Sequence, residues 1–162
     1  MPITFIPYIK TTTPTSTAPV TIQAKTPTMI RNMPYNGDYS FGQSGIIYLH
    51  EEMVEAGLTA GKIDAIEFNF SGWSTSAWAQ TWTTQTIKMG HTDSIGVPLG
   101  TQPDYSNLNL IGNLETVKNT FTITVENIWM KFSFDSDLIW DGRSNILISW
   151  ENREADWYLG GM

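Results

Sequence analysis

Few residues of this chain could break or form bonds in a substrate. Two histidines, His50 and His91, and no cysteine are present, so thiol nucleophiles and thiolate metal sites are excluded. The spacings that mark zinc hydrolases, serine esterases and glycine-rich phosphate loops do not occur in the sequence. His91 ends an apolar-alternating run, where capping of a turn is its expected role. The sequence therefore predicts a protein that is not an enzyme and needs no cofactor.

Three acids near an Asp-Gly turn form the one set that could hold a metal ion. Asp135, Asp137 and Asp141 offer hard oxygen ligands, of which calcium takes about six to eight. The alternative, which we favour, is that these carboxylates accept hydrogen bonds from backbone N–H groups. Gly142 is expected at positive φ. The residues expected to build the turn itself are Asp141, Gly142, Ser144 and Asn145.

Tryptophans in a polar segment are the candidate contact residues. Residues 71–82 are rich in Ser, Thr and Gly, whereas core tryptophans usually lie in apolar strands. Aromatic rings on a loop are suited to stack on sugars and to form hot spots of protein interfaces. Contact with another subunit is favoured over glycan binding, and the alternative is that the rings fold back over one end of the core. The tryptophans concerned are Trp73, Trp78 and Trp82.

Composition and charge limit the kinds of partner. The 162 residues suit one domain, and a hydrophobic fraction of 41% is sufficient for a core. Sixteen acidic against nine basic residues give a formal net charge of −7, which repels phosphate backbones, so no nucleic-acid partner is expected. No apolar run reaches the roughly 18 residues that cross a bilayer, so no membrane insertion is expected.

The elements that must position these residues are predicted to be β-strands. Apolar residues alternate on both sides of the Asp-Gly turn, and a period of two buries one face of a strand while the other faces solvent. Further short strands are predicted at residues 20–24, 45–50, 62–70, 81–91 and 121–125, a loop at residues 31–44 and one helix at residues 51–57. The alternating residues around the turn are Met130, Phe132, Phe134, Ile146, Ile148 and Trp150.

The chain is predicted to have two parts. Residues 1–19 form an extended Thr/Pro-rich arm, because proline fixes φ and threonine favours extended backbone. Apolar residues in this arm, including Phe5, Ile6 and Tyr8, favour docking on a neighbouring subunit over a disordered leader. Residues 20–162 form an all-β, antiparallel, jelly-roll-like β-sandwich with one short helix.

Four segments resemble a known group of proteins. They are residues 47–57, 61–70, 86–92 and the stretch from Trp129 to Ile148, in which the Asp-Gly-Arg-Ser-Asn motif is the most specific part. They resemble the β-sandwich modules of surface and adhesin proteins secreted by gliding bacteria of the Bacteroidota type, and of related phage virion proteins. The resemblance covers about residues 20–151 and implies structural and adhesive roles, with no catalytic residues to carry over.

The functional prediction follows from the fold and from this resemblance. The chain is expected to be a non-enzymatic phage virion surface component, such as a capsid decoration, penton, fibre or spike-base protein. Its expected partners are further copies of itself, in a homo-oligomer, and other virion or surface proteins. The alternative is a secreted bacterial surface adhesin or carbohydrate-binding module that binds glycans. The N-terminus has no signal-peptide pattern, which favours the virion over the cell surface.

Overall fold

The chain folds into two layers of antiparallel strands. A computed structural model describes residues 8–11, 20–21, 41–69, 81–96, 108–124 and 129–153. Two short helices accompany the strands, α1 (His50–Glu55) and α2 (Leu108–Ile111). The strands are β1 (Tyr8–Thr11), β2 (Val20–Thr21), β3 (Phe41–Tyr48), β4 (Gly61–Asn69), β5 (Thr81–Thr92), β6 (Glu115–Thr124), β7 (Trp129–Trp140) and β8 (Asn145–Arg153).

The strand pairs are nested within one another along the chain. Sheet 1 has the order β2-β1-β4-β7, and sheet 2 has the order β3-β8-β5-β6. The pair β5–β6 lies innermost in the sequence, β4–β7 encloses it, and β3–β8 encloses both. This nesting of antiparallel pairs across two sheets is the topology of a jelly roll. The predicted all-β, jelly-roll-like sandwich is confirmed.

The core lies between the sheets and is rich in aromatic rings. Period-two alternation directs Ile87 and Met89 inward from β5, and both are fully buried, as the sequence predicts. Trp150 on β8 packs edge-on against Phe68 of β4 and Phe132 of β7, with ring centroids 5.8 and 5.0 Å apart. Such ring pairs contribute about 0.5–1.5 kcal/mol each beyond their buried area. Aromatic contacts between β8 and both strands of sheet 1 therefore join the two layers.

Strand β8 is buried on both faces, whereas its alternating pattern predicts one face in solvent. Ile146, Ile148 and Trp150 face the core as expected, but Leu147 and Ser149 on the other face are equally inaccessible. The reason is that β8 lies between β3 and β5. Longer side chains from both neighbours reach over it: Gln43 Nε2 donates to Ser149 Oγ at 2.7 Å, and Lys88 Nζ lies 2.6 Å from Glu151 Oε1. The sequence pattern of a central strand does not reveal this second cover.

Several boundaries differ from the predicted ones because long-range pairing extends the strands. Residues 41–44, predicted as loop, belong to β3, since they pair with residues 150–153 of β8. Strand β6 begins at Glu115 and β7 continues to Trp140, so both are longer than predicted. Helix α1 occupies the predicted place, and its first turn is fixed by Glu52, whose Oε2 accepts the Leu49 N–H at 3.1 Å. Helix α2 was not predicted.

The N-terminal segment contributes a strand to the sandwich. Within the predicted arm, residues 8–11 form β1, which pairs with β4 on one side and with β2 on the other. The remainder of residues 1–19 lies outside the described residues. Among the helices described, none is long and apolar enough to span a membrane.

Candidate functional site

One carboxylate holds the loop between β7 and β8. Asp141 Oδ1 accepts the backbone N–H groups of Arg143 and Ser144 at 2.9 and 2.8 Å, and its Oδ2 accepts the Ser144 hydroxyl at 2.6 Å. Gly142 has a φ of 76°, a left-handed conformation that only glycine adopts without strain. A Cβ at this glycine would also lie 2.8 Å from Ala60 Cβ. The residues expected to build the turn therefore do so through identifiable contacts.

The electrostatics of Asp141 follow from this loop. Its pKa lies well below the ordinary value of 3.8, chiefly because the ionised carboxylate accepts the Ser144 hydroxyl, and secondly because it accepts backbone N–H groups. The carboxylate is therefore ionised throughout the neutral range. Its oxygens are occupied by the loop that it holds, which is the hydrogen-bonding role that the sequence favours over calcium binding.

Asn145, the first residue of β8, connects three elements at this end of the sandwich. Its Oδ1 accepts the His50 N–H at 2.7 Å, and its Nδ2 donates to the Ser94 carbonyl at 3.0 Å. Trp140 Nε1 donates to the Ser144 carbonyl at 2.8 Å, and the His50 ring lies 6.3 Å from the Trp140 ring. The start of α1, the end of β5 and the β7–β8 loop are thus fixed relative to one another.

The segment after α2 is held against the end of β5. The Thr92 hydroxyl donates to the Ile111 carbonyl and accepts the Ser94 N–H at 3.1 Å, while the Asn113 N–H donates to the His91 carbonyl at 3.3 Å. Thr92 thus caps the turn after β5, the role that the sequence assigns to the neighbouring His91. Gly90 allows the close approach, since a Cβ there would overlap the Asn113 carbonyl group.

An open cleft of about 470 Å³ lies between these elements. The Thr92 and Ser144 hydroxyls in its wall already have partners, whereas the side chains of Asp93 and Asn113 bond to none of the described residues. Nε2 of His91 is shielded from solvent and has no partner in the described part of the chain. A carboxylate and a carboxamide can bind hydroxyl groups, and the negative charge of Asp93 disfavours an anionic ligand. The polar residues lining the cleft are His91, Thr92, Asp93, Asn113 and Ser144.

The three aspartates considered as calcium ligands have separate partners. Asp135 Oδ2 accepts the Asn119 N–H at 2.8 Å, Asp137 Oδ2 lies 2.7 Å from Lys62 Nζ, and Asp141 holds its own loop. The expected cluster around the turn is wrong for Asp135 and Asp137, because β7 extends through both of them. Within the described ranges, no group of three or more His, Asp or Glu side chains is placed to hold a metal ion.

Among the three candidate contact tryptophans, the described residues include Trp82 alone. It is the second residue of β5, is 7% exposed and belongs to the core cluster. The prediction that it is presented to a partner or glycan from a loop is wrong, because β5 already begins at Thr81 and directs residue 82 inward. Trp73 and Trp78 lie outside the described residues, so their contact role stays a prediction.

Other apolar side chains are exposed on β7. Trp129 is 40% exposed and Ile139 is 62% exposed, whereas the two other tryptophans of β7 and β8, Trp140 and Trp150, are buried. The position of Trp129 at the start of β7 leaves its ring at the surface. Strand β7 is an edge strand of sheet 1, so these two side chains lie at an accessible edge of the sandwich.

Contact residues predicted in the N-terminal arm are described only in part. Tyr8 begins β1, and its backbone pairs with Glu67 of β4 and with Thr21 of β2. Phe5 and Ile6 lie outside the described residues. The backbone of this segment is therefore engaged in sheet 1, and the contacts of its apolar residues stay a prediction.

Two cleft residues, Asp93 and Asn113, were not found by sequence reasoning. Neither belongs to a motif. They are far apart in the sequence, and they come close in space only when the segment after α2 packs onto β5. The feature that could have indicated their proximity is Gly90, since an isolated glycine inside a strand pattern marks close approach of another backbone.

Known proteins give no further guidance to this site. No family model matches the chain, and no curated protein and no solved structure matches it. Evidence for function therefore comes from the residues and contacts described above.

Proposed function

We propose that this chain is a non-enzymatic structural and interaction protein, specifically a surface component of a phage particle. Such components include capsid decoration, penton, fibre and spike-base proteins. The chain assembles with further copies of itself and with other virion proteins, through the faces of its sandwich and through its N-terminal segment. The observation that carries this proposal is the position of β1.

Strand β1 joins sheet 1 through backbone pairing. Tyr8 pairs with Glu67 and Ile9 with Ile66, and the register shifts between Lys10 and Thr11. An extended segment that adds to the side of a strand needs no hydrophobic core of its own. Segments of this kind suit a protein that must join neighbours into an assembly, because the same backbone groups pair equally well across two chains.

The remainder of the sandwich supports this role as a rigid module. In the core, Trp150 Nε1 donates to Gln85 Oε1 and Gln85 Nε2 donates to Asn152 Oδ1, each at 2.8 Å. On the outer face of sheet 2, Glu151 contacts both Lys88 and Arg153, at 2.6 and 3.0 Å. Buried polar groups that are paired in this way fix the relation between strands. A rigid module can present its surfaces to partners in a constant geometry.

The exposed residues of β7 supply a candidate contact surface. Tryptophan is enriched among the residues that contribute most to protein interfaces, and Trp129 lies on the same strand as the exposed Ile139. Between these two residues along β7, Asp135 lies 3.9 Å from Lys118 of β6. The strand thus presents both apolar and charged side chains, and both kinds occur in protein interfaces.

Copurification and truncation test this proposal. The full-length chain is expected to copurify with phage particles in a fixed ratio and to sediment as an oligomer, and deleting residues 1–19 is expected to abolish both. Circular dichroism and thermal melting of the truncated chain separate loss of assembly from loss of folding. The surface variant Trp129→Ala, which leaves the N-terminus intact, provides a second measure of assembly. A monomeric full-length chain that is absent from particles would contradict the proposal.

The polar cleft favours a second candidate function, a secreted surface adhesin or carbohydrate-binding module. The side chains of Asp93 and Asn113, which bond to none of the described residues, and the cleft volume of about 470 Å³ suit the hydroxyl groups of a saccharide. Glycan-array binding that is lost in Asp93→Ala, and retained in the control Asp64→Ala on β4, would favour this candidate. Absence of binding on the array leaves the structural role as the better account.

A further inference from the structure

We infer that β1 is exchanged between copies of this chain, so that β1 of one copy, with its own β2 beside it, pairs with β4 of its neighbour. This inference rests on the proposed function, since it names the contact through which the copies assemble. The partner is a second copy of the chain. The receiving surface is the side of β4 that β1 covers.

The receiving side of β4 requires a partner strand. Residues Ile63, Ala65 and Ile66 of β4 are almost completely buried, and β7 pairs with the opposite side of this strand. Without β1, the backbone N–H and C=O groups along the other side of β4 would be unpaired next to an apolar core. Unpaired strand edges of this kind readily accept a strand from another chain.

Among the described strands, β1 and β2 do not belong to the nest of enclosed pairs. The pairs β3–β8, β4–β7 and β5–β6 each enclose the next along the chain. Strand β2 would complete the series by pairing with a strand after β8, but its partner is β1, which precedes it. Moving β1 to another copy therefore breaks none of the three enclosed pairs.

Strand β2 can accompany β1 during the exchange. Strand β2 is the edge strand of sheet 1, and it pairs with β1. The β1–β2 pair is therefore joined to the rest of the sheet by the pairing of β1 with β4. Residues 22–40 connect β2 to β3, and an extended segment of this length spans roughly 60 Å. That reach exceeds the roughly 30 Å diameter of a small domain. The chain is therefore long enough to place β1 on a neighbour.

A second copy is the occupant that the register favours. The pairs Tyr8–Glu67, Ile9–Ile66 and Lys10–Ala65 are specified by this sequence, and an exchanged β1 reproduces them without any new contact. Exchange of an identical element between protomers is a low-cost route to a symmetric assembly. A different protein would have to reproduce both this register and its shift at Thr11.

Disulfide trapping tests the exchange, because the natural chain has no cysteine. Tyr8→Cys and Glu67→Cys place thiols on directly paired residues, and opposed residues of antiparallel strands are close enough for a disulfide. The two single variants are mixed during refolding, assembled and oxidised. The control is the pair Lys62→Cys and Ile139→Cys, which joins β4 to β7 within the enclosed pairs.

The expected result is a disulfide between chains for the Tyr8 and Glu67 variants, several-fold more abundant than for the control pair. Peptide mass spectrometry identifies the joined residues, and circular dichroism checks that each variant is folded. The exchange is overturned if the copies assemble while the Tyr8–Glu67 disulfide forms only in a double variant, within one chain. That result leaves the proposed function standing. Failure of the unmodified chain to assemble at all contradicts both.

Discussion

Single polar side chains determine where this chain changes direction. Asp141 organises the loop between β7 and β8, Asn145 joins that loop to α1 and β5, and Thr92 caps the turn after β5. Each makes two or more hydrogen bonds, so replacing one side chain releases several backbone groups at once. The effect of a substitution at these positions is therefore expected to exceed that of an ordinary surface residue, which is usually within about 0.5 kcal/mol.

Asp141→Asn is expected to lower the free energy of unfolding by about 1 kcal/mol at neutral pH. The pKa of Asp141 is depressed in the folded protein from its ordinary value of 3.8. The stabilisation is therefore present above the unfolded pKa and is lost as the pH falls through the lower, folded pKa. Urea denaturation at about pH 7 and about pH 3 should show the difference between wild type and variant shrinking in acid. A difference that stays constant with pH would contradict this role of the carboxylate.

Tyr48→Phe is expected to reduce the loss of stability in alkali. Burial, and secondly the charge of Glu52, raises the pKa of Tyr48 above its ordinary value of 10.0. The neutral phenol thus stabilises the fold fully below the unfolded pKa, and this contribution falls as the pH rises between the unfolded and folded pKa. One such group contributes a slope of about 1.4 kcal/mol per pH unit. Urea denaturation above pH 10.0 should show a shallower decline in the variant, and equal declines would contradict the assignment.

At the scale of elements, close contact between β5 and the segment after α2 shapes the cleft. Gly90→Ala would place a Cβ 2.6 Å from the Asn113 carbonyl carbon, so the segment must shift. We expect a loss of stability of about 1–3 kcal/mol. The control is Gly42→Ala on β3, where an added Cβ meets nothing within 4 Å. Thermal melting compares the two, and equal melting temperatures would show that the segment can move without cost.

Features that depend on local patterns could be predicted from the sequence, whereas features that depend on distant residues could not. Strand β4 and the turn at Gly142 were predictable, because period-two alternation and an Asp-Gly pair are local patterns. The burial of Ser149 was not, since it depends on Gln43 reaching across from a strand more than 100 residues away (a separation of 106). Trp82 was misassigned because it was grouped with the polar segment before it, although the strand predicted at residues 81–91 already contains it. Asp93 and Asn113 line the same cleft only once the chain has folded.

At the scale of the whole molecule, the nested topology determines how much chain entropy is lost when each strand pair forms. Strands β5 and β6 are nearest in sequence among the enclosed pairs, and β3 and β8 are the farthest apart. The entropy lost on bringing two segments together grows with the length of chain between them. Contacts within the inner pair can therefore form before those of the outer pair, and folding on a timescale of roughly milliseconds to seconds is typical of such non-local β topologies.

This order predicts opposite kinetic effects for two aliphatic truncations. Val117→Ala on β6 removes a buried side chain of the inner pair, and Ile46→Ala on β3 removes one packed against the core in the outer pair. We expect Val117→Ala chiefly to slow folding, with a φ-value of about 0.5 or more, and Ile46→Ala chiefly to accelerate unfolding, with a φ-value below about 0.3. Stopped-flow measurements across a urea series give both rates. A larger slowing of folding by Ile46→Ala than by Val117→Ala would mean that β3 and β8 meet first, which the lengths of the intervening chain do not favour.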